Sequence, residues 1–436
     1  MDIYRYLKHI ITASLLLFCV LCCRAQQSVN ALFIGNSYTA VNDLPLMVQQ
    51  IATSMGDELT YQSNTPGGCT FSQHCTNMSM DLIRNGRWDI VVLQEQSQYP
   101  SFPQEQVEAE VFPYAKRLVD SSYANSPCCE PMFYMTWGRK NGDAGNAPYF
   151  PVLGTYEGMD SMLCERYTYM AHQFDASLCP VGRVWRYIRT NHPDIELYQS
   201  DESHPSVAGT YAAACAFYVM FFERDPELIT YKPSISENMS QTIRSAVKQV
   251  VFERLSEWKR VQPNSHFEVE TAADSMAVFT ATPLHADSLQ WFFGDGETVT
   301  TTAAETTTTH HYADTGHYAV MLVASRHCMT DTFSTTVIIS GNGSTPPDTT
   351  LSAGSICNLN KQVTINPNPA TVYTEISSPS PILRWHIADS RGRIVSQQAG
   401  LYSNTVIIRF GRLVPGLYII TVYSETGMTT KKIVVL

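Results

Sequence analysis

Beyond its first 25 residues, the chain has no apolar run long enough to cross a bilayer. A mature protein without a transmembrane segment, soluble once exported, is therefore expected. Outside the leader there is no Cys-x-x-Cys, and there is no His-x-x-x-His anywhere. The spacings that build zinc sites are missing, so neither a metal nor a cofactor is expected. A basic excess is also missing: 29 Lys and Arg stand against 40 Asp and Glu, a formal net charge of −11. Such a chain is a poor partner for nucleic acid.

The one long apolar stretch lies at the start. Arg5 and Lys8 precede "IITASLLLFCVLCC", and Cys23-Arg24-Ala25 supplies small residues for cleavage. Residues 1–25 read as a secretory signal cut after Ala25. A lipid-modified Cys22 or Cys23 is the rival reading, disfavoured because Leu21 and Cys22 precede them. Loss of the leader, with three basic residues and one acidic, takes the net charge to −13. Of the 12 cysteines, nine remain, so at least one is unpaired within the chain. Export permits disulfides. Cys69 and Cys75 could close a short loop, and the adjacent Cys128 and Cys129 are expected to pair elsewhere rather than together.

Texture divides the mature chain. Apolar runs at 31–34, 89–93 and 131–136, with shorter candidates at 176–181 and 195–200, alternate with helical patterns near 45–55, 105–120, 155–172 and 206–223. Strands that alternate with helices imply a parallel sheet covered on both faces, a three-layer α/β/α domain over 26–262. From 263 to 341 short strands surround Gly294-Asp295-Gly296, as in a β-sandwich. The Thr-rich stretch 298–309 reads there as a strand with an extended loop, and His310-His311 as solvent-exposed. Residues 342–359 have linker composition. The last piece, 360–436, again shows short alternating strands. Its eight Lys and Arg against three Asp and Glu give +5, so residues 26–359 carry −18. That contrast marks a separate module.

The stretch "ALFIGNSYTA" (31–40) poses the functional question. A buried strand ends at Gly35-Asn36, and Ser37 is left at the turn before a helix. A hydroxyl there is either a cap or a nucleophile. "YQSDESHPS" supplies what a nucleophile needs. Asp201 and His204 are three apart, and Pro205 keeps His204 out of helical geometry. A carboxylate that orients an imidazole, which in turn accepts a serine proton, is the logic of a catalytic triad. Asp314 and His317 share the same spacing but fall in the sandwich, where they read as a turn. Trp137, Arg139 and Asn141 follow a strand end, either as pocket wall or as loop anchors. Phe217, Tyr218, Phe221 and Phe222 have the spacing of a buried helix face.

Together, "FIGNSYT", "PGGCT", "VVLQEQS" and "DESHPS" resemble the four ordered blocks of SGNH (GDSL-like) hydrolases. The resemblance covers about 26–256 and implies a flavodoxin-like three-layer fold. It places Ser37 as nucleophile, His204 as base and Asp201 as its partner. It assigns the oxyanion hole to the N–H groups of Ser37 and Gly68. The third block departs from Gly-x-Asn-Asp. It looks more like the "QGES" of carbohydrate acetylesterases, which makes Gln94 the third donor; alignment on the commoner block favours Gln96 instead. "MTWGRKNG" (135–142) adds a likeness to a secreted branch found in Bacteroidetes-type bacteria. Residues 291–325 resemble PKD domains, which are immunoglobulin-like. "INPNPAT", "LVPGLYIITV" and "KKIVVL" resemble the C-terminal sorting domain of type IX secretion cargo, which implies export to the cell surface or beyond. The resulting expectation is an exported serine esterase acting on acylated, chiefly O-acetylated, glycans. A lipase or other acyl esterase is the enzymatic alternative. A non-catalytic adhesin or carbohydrate-binding protein is the alternative from another class.

Overall fold

The computed structural model describes residues 26–436 apart from 272–274, 284, 341–362, 367, 369–372, 389–393, 410–415, 425–426 and 436. The leader at 1–25 and the linker at 342–359 thus lie outside the described residues. The N-terminal domain is built on five parallel strands: β1 (Ser28–Ile34), β2 (Glu58–Asn64), β3 (Ile90–Leu93), β4 (Glu130–Tyr134) and β5 (Ser177–Cys179). Their order is β2-β1-β3-β4-β5.

Side chains alternate across this sheet and feed two cores. Phe33, Val92 and Tyr134 face the helices Leu44–Ser54, Val181–Asn191, Val207–Phe222 and Glu237–Val250. Ile34, Leu93 and Phe133 face Met78–Asn85, Phe112–Asn125 and Tyr156–Gln173. This makes three layers, α/β/α. Inner strands covered on both faces read as unbroken apolar runs. The edge strand β2, "ELTYQSN", buries only Leu59, and its polar texture hides it in the sequence. The candidate strand at 195–200 does not form; Tyr198 makes only an isolated bridge to Pro205. The helical pattern at 105–120 splits into Gln104–Glu110 and Phe112–Asn125. Pro113, which has no N–H to donate, sits in the first turn of the second piece. Phe217, Tyr218, Phe221 and Phe222 lie in the core. Their helix is buried nearly all round because it is packed between the sheet and neighbouring helices.

The following strands are antiparallel. β6 (Phe267–Thr271), β7 (Met276–Ala281) and β10 (Thr307–His311) form one sheet. β8 (Ser288–Phe292), β9 (Thr298–Thr302), β11 (Gly316–Arg326) and β12 (Met329–Ile339) form the other. Phe267, Phe279, Trp291 and Leu322 fill the space between them. The Thr-rich stretch therefore contributes two strands, one to each sheet. His310 is buried, contrary to expectation: its ring stacks on Phe293 at 4.0 Å and its Nε2 lies 2.6 Å from Asp295 Oδ2. A last sheet comprises β13 (Thr364–Asn366), β14 (Tyr373–Ala388), β15 (Ile394–Arg409), β16 (Gly416–Ser424) and β17 (Gly427–Val435).

Cys128 is bonded to Cys328, while Cys69 and Cys75 remain thiols and close no loop. Cys128 precedes β4, and Cys328 sits in the turn between β11 and β12. Beside the bond, Tyr123 stacks on His327 at 3.6 Å and Arg326 Nε reaches Asp175 Oδ2 at 2.7 Å. These contacts lie near the amino ends of β4 and β5, so the sandwich is fixed opposite the sheet's carboxyl edge. The bond spans 200 residues of sequence. Closing so long a loop restricts the unfolded chain and stabilises by about 2–5 kcal/mol. Cys328→Ser is accordingly expected to lower the thermal midpoint by several degrees. An unchanged midpoint would mean that the non-covalent contacts suffice.

Candidate active site

Ser37 stands at the carboxyl end of β1, the edge where open parallel sheets bind ligands. Gly35 is required there: a Cβ would lie 2.5 Å from Thr39 Oγ1 and 2.6 Å from Gln94 Oε1. Asn36 caps the one-turn helix Ser37–Ala40 by accepting from Tyr38 N at 3.2 Å. Ser37 is thus the first helical residue, and Asn36, not Ser37, is the cap.

His204 comes from the loop ahead of the helix Val207–Phe222. The helix is capped by Ser206, and Pro205 lies just outside it. His204 Nε2 is 2.8 Å from Ser37 Oγ, and His204 Nδ1 is 2.5 Å from Asp201 Oδ2. Asp201 Oδ1 accepts from Ser203 N (3.1 Å) and His204 N (3.0 Å). Partial desolvation works to raise the Asp201 pKa. The hydrogen bonds from the imidazole and the two backbone N–H groups outweigh it and hold the carboxyl below its ordinary value. The three side chains read from the sequence therefore meet in one hydrogen-bonded chain.

An aromatic stack supports this chain. Trp185 stacks on Trp137 at 3.7 Å, Trp137 on Tyr38 at 4.8 Å, and Tyr38 meets the His204 ring edge-on at 5.4 Å. Trp137 Nε1 donates to Ser203 O at 3.1 Å, and Tyr38 Oη lies 2.6 Å from Ser203 Oγ. Trp137 is fully buried, so it anchors the histidine loop rather than lining a pocket. Arg139 pairs with Asp143 at 3.1 Å and donates to Gln98; Asn141 donates to Glu202 at 2.8 Å. Asn42 Nδ2 reaches Pro205 O (3.1 Å) and Thr210 Oγ1 (2.9 Å), tying the segment after Ser37 to the histidine loop. The buried His74 places Nε2 2.9 Å from Gly35 O. Sequence reasoning missed Asn42 and His74, and neither lies in a recognisable spacing.

Gly68 has φ +67° with open space where a side chain would stand. Neither Ser37 N nor Gly68 N makes a hydrogen bond among the described residues. Gln94 departs from expectation. Its Oε1 accepts from Asn36 N and Thr39 Oγ1, both at 2.9 Å, while its Nε2 donates to Asn36 Oδ1 at 3.0 Å and to Glu95 O. A fully buried amide committed at both ends has no N–H left for a substrate oxygen. Gln94 braces the turn that carries Ser37. Gln96 is only partly buried; its Oε1 accepts from Gln98 N at 2.9 Å, and its Nε2 has no partner among the described residues. Among those residues, no cluster of three or more His, Cys, Asp and Glu is arranged for a metal, and no helix is long and apolar enough to cross a membrane.

Two parts of the chain match family models. Residues 266–339 match the PKD domain, and residues 364–436 match the secretion system C-terminal sorting domain. The latter indicates export through type IX secretion to the cell surface or the extracellular space. No curated protein matches the chain. The chain is also similar to solved structures. A DUF4886 family protein from Bacteroides uniformis is 16% identical and aligns over 51% of this chain and 94% of its own, with a TM-score of 0.45. A putative GDSL-like lipase from Parabacteroides merdae is 12% identical over 45% and 96%, with a TM-score of 0.33. An acetyl-xylooligosaccharide esterase from Geobacillus is 14% identical over 49% and 100%, also with a TM-score of 0.33.

Proposed function

We propose that the protein is an exported serine esterase that removes short acyl groups, acetyl above all, from glycans. The observation that carries the reading is the chain Asp201–His204–Ser37, with hydrogen bonds of 2.5 and 2.8 Å, beside two unengaged backbone N–H groups. Ser37 Oγ attacks the ester carbonyl while His204 Nε2 takes its proton. The tetrahedral oxyanion is met by Ser37 N–H, Gly68 N–H and the Gln96 amide. His204 returns the proton to the leaving sugar hydroxyl, and an acyl-Ser37 remains. Water gives its proton to His204 and releases the acid. Asp201 holds the imidazole in one tautomer and stabilises its cation.

The side chains around the triad support a glycan. Glu202 and Ser203 stand between Asp201 and His204, Asn141 donates to Glu202 at 2.8 Å, and such polar groups can bond sugar hydroxyls. A long acyl chain would instead need an apolar slot. Acetate release from acetylated polysaccharide, compared with hydrolysis of long-chain aryl esters, tests the assignment. Preference for long chains would make the protein a lipase. Glycan binding without hydrolysis of either would make it an adhesin.

Two further outcomes are expected. The acid side of the kcat/KM profile should be a single-proton limb. Asp201, held low, is already ionised where an imidazole titrates, so activity should rise with pH as one group loses its proton. A two-proton limb would contradict this. Gln96→Ala should lower kcat by about 10²–10³ with an unchanged thermal midpoint, as loss of an oxyanion donor does. Gln94→Ala should instead lower the midpoint, because Asn36 N and Thr39 Oγ1 lose their acceptor, at about 1–3 kcal/mol each. A fully active Gln96→Ala would leave the oxyanion to backbone donors alone.

A further inference from the structure

Between the two glutamines of the third block stands a carboxylate to which the mechanism assigns no step. Glu95 is fully buried. Its Oε1 and Oε2 accept from Phe71 N at 3.1 and 3.0 Å, and Oε1 also accepts from Gln96 N at 2.5 Å. Its own N–H donates to Tyr167 Oη at 3.2 Å. A buried carboxylate without a paired cation is costly unless N–H groups satisfy it. Here they come from two different segments.

Those segments are the two non-nucleophile sides of the oxyanion hole. Phe71 opens the short helix that follows Gly67-Gly68-Cys69-Thr70. On its other side this loop is tied to the nucleophile turn, because Asn36 Nδ2 donates to Cys69 O at 3.0 Å. Gly68 has positive φ and no side chain to hold it, so its N–H direction rests on these two ties and on the turn that Cys69 N closes to Pro66 O at 3.1 Å. Gln96, in turn, leaves the sheet next to Glu95. One carboxylate therefore sets the distance between the Gly68 loop and the Gln96 backbone, while Gln94 fixes the same segment to Ser37's turn.

We propose that Glu95 is a positioning residue of the oxyanion hole: its buried carboxylate clamps the Gly68 loop and Gln96 together in register with Ser37. This deepens the esterase reading and rests on it. Burial pushes the Glu95 pKa up to about 8 against the pull of the Gln96 and Phe71 N–H groups. The neutral form thus predominates at pH 7, and glutamine is a close mimic of it. Glutamine retains an Oε1 able to accept from both Phe71 N and Gln96 N; leucine retains only the bulk.

The test uses the full-length protein and an aryl acetate. Hydrolysis by the wild type, with Ser37 labelled by a fluorophosphonate, must be seen first; its absence sinks the esterase reading, not the clamp. Given activity, Glu95→Leu should lower kcat by about 10–100-fold with KM within about threefold, since misplacement of a donor by about 1 Å costs up to 10² in rate. Glu95→Gln should stay within about threefold of the wild type. Combining Glu95→Leu with Gln96→Ala should cost less than the product of the single losses, because the Gln96 amide is one of the two donors that Glu95 positions. Should Glu95→Leu not fold, Glu95→Asp carries the same test: it keeps the carboxyl, loses the reach and should lower kcat. Wild-type kcat in Glu95→Leu or Glu95→Asp, an equal loss in Glu95→Gln, or strict multiplicativity with Gln96→Ala would overturn the clamp.

Discussion

Ser37→Ala is expected to abolish ester hydrolysis, a fall of roughly 10⁶-fold in kcat, and to leave the fold unchanged. The two halves of that expectation have separate causes. Among the described residues, Ser37 Oγ has one side-chain partner, His204 Nε2. Its removal leaves Asn36 still capping the turn and Gln94 still bracing it. The stacked Trp185, Trp137 and Tyr38 rings do not depend on the hydroxyl either. Yet without it no acyl intermediate forms, and what remains is hydrolysis aided by the oxyanion donors alone. His204→Ala should cost about as much, and the double variant little more, because the two residues act as a unit. Circular dichroism and the thermal midpoint report the fold; initial rates on an aryl acetate report the chemistry. A Ser37→Ala protein with wild-type rates would end the nucleophile assignment. Losses that multiply would show that His204 does not act through Ser37.

The legible parts of this site were those in which local sequence and chemistry coincide. Gly35-Asn36-Ser37 is a strand end, a turn and a hydroxyl within three residues. Asp201 and His204 lie in one loop whose geometry Pro205 restricts. Inner strands were legible because burial on both faces leaves only apolar residues. β2 was not, because an edge strand has one poorly covered side and reads like a loop. The candidate at 195–200 misled for the opposite reason. Ile195, Leu197 and Tyr198 are buried, but they pack the histidine loop rather than extend a sheet. The Gln94 assignment failed on a three-dimensional point. Its amide is taken up by Asn36 and Thr39, almost 60 residues away in sequence, and no spacing reveals that. The regular alternation of a strand also stops at Leu93, so the faces of Gln94, Glu95 and Gln96 do not follow from a period of two. The Cys128–Cys328 bond was beyond reach for the same reason, since nine cysteines leave many pairings open.

A chain that ends near residue 359 is expected to hydrolyse esters like the full-length protein but to stay in the periplasm of its native host. The side chains proposed as catalytic all precede residue 206, and the sheet that carries them is complete before the sandwich begins. The tail has its own core, with Ile376, Trp385, Ile387, Ile420, Val422 and Ile433 buried among its own strands. Its loss thus removes no packing from either core beneath Ser37. What it does remove is the segment matched by the sorting domain, together with its net charge of +5 on an otherwise acidic chain. A surface that differs so much in charge suits recognition by export machinery rather than chemistry on an ester. The effect should be close to all-or-none in location and near zero in kcat. An ester that cannot enter cells separates the two: intact cells bearing the full-length protein should hydrolyse it, and cells bearing the truncated chain should do so only after lysis. Equal activity on intact cells would refute the sorting role. Loss of activity in the lysate as well would mean that the catalytic domain needs the tail to fold, against the independence of their cores.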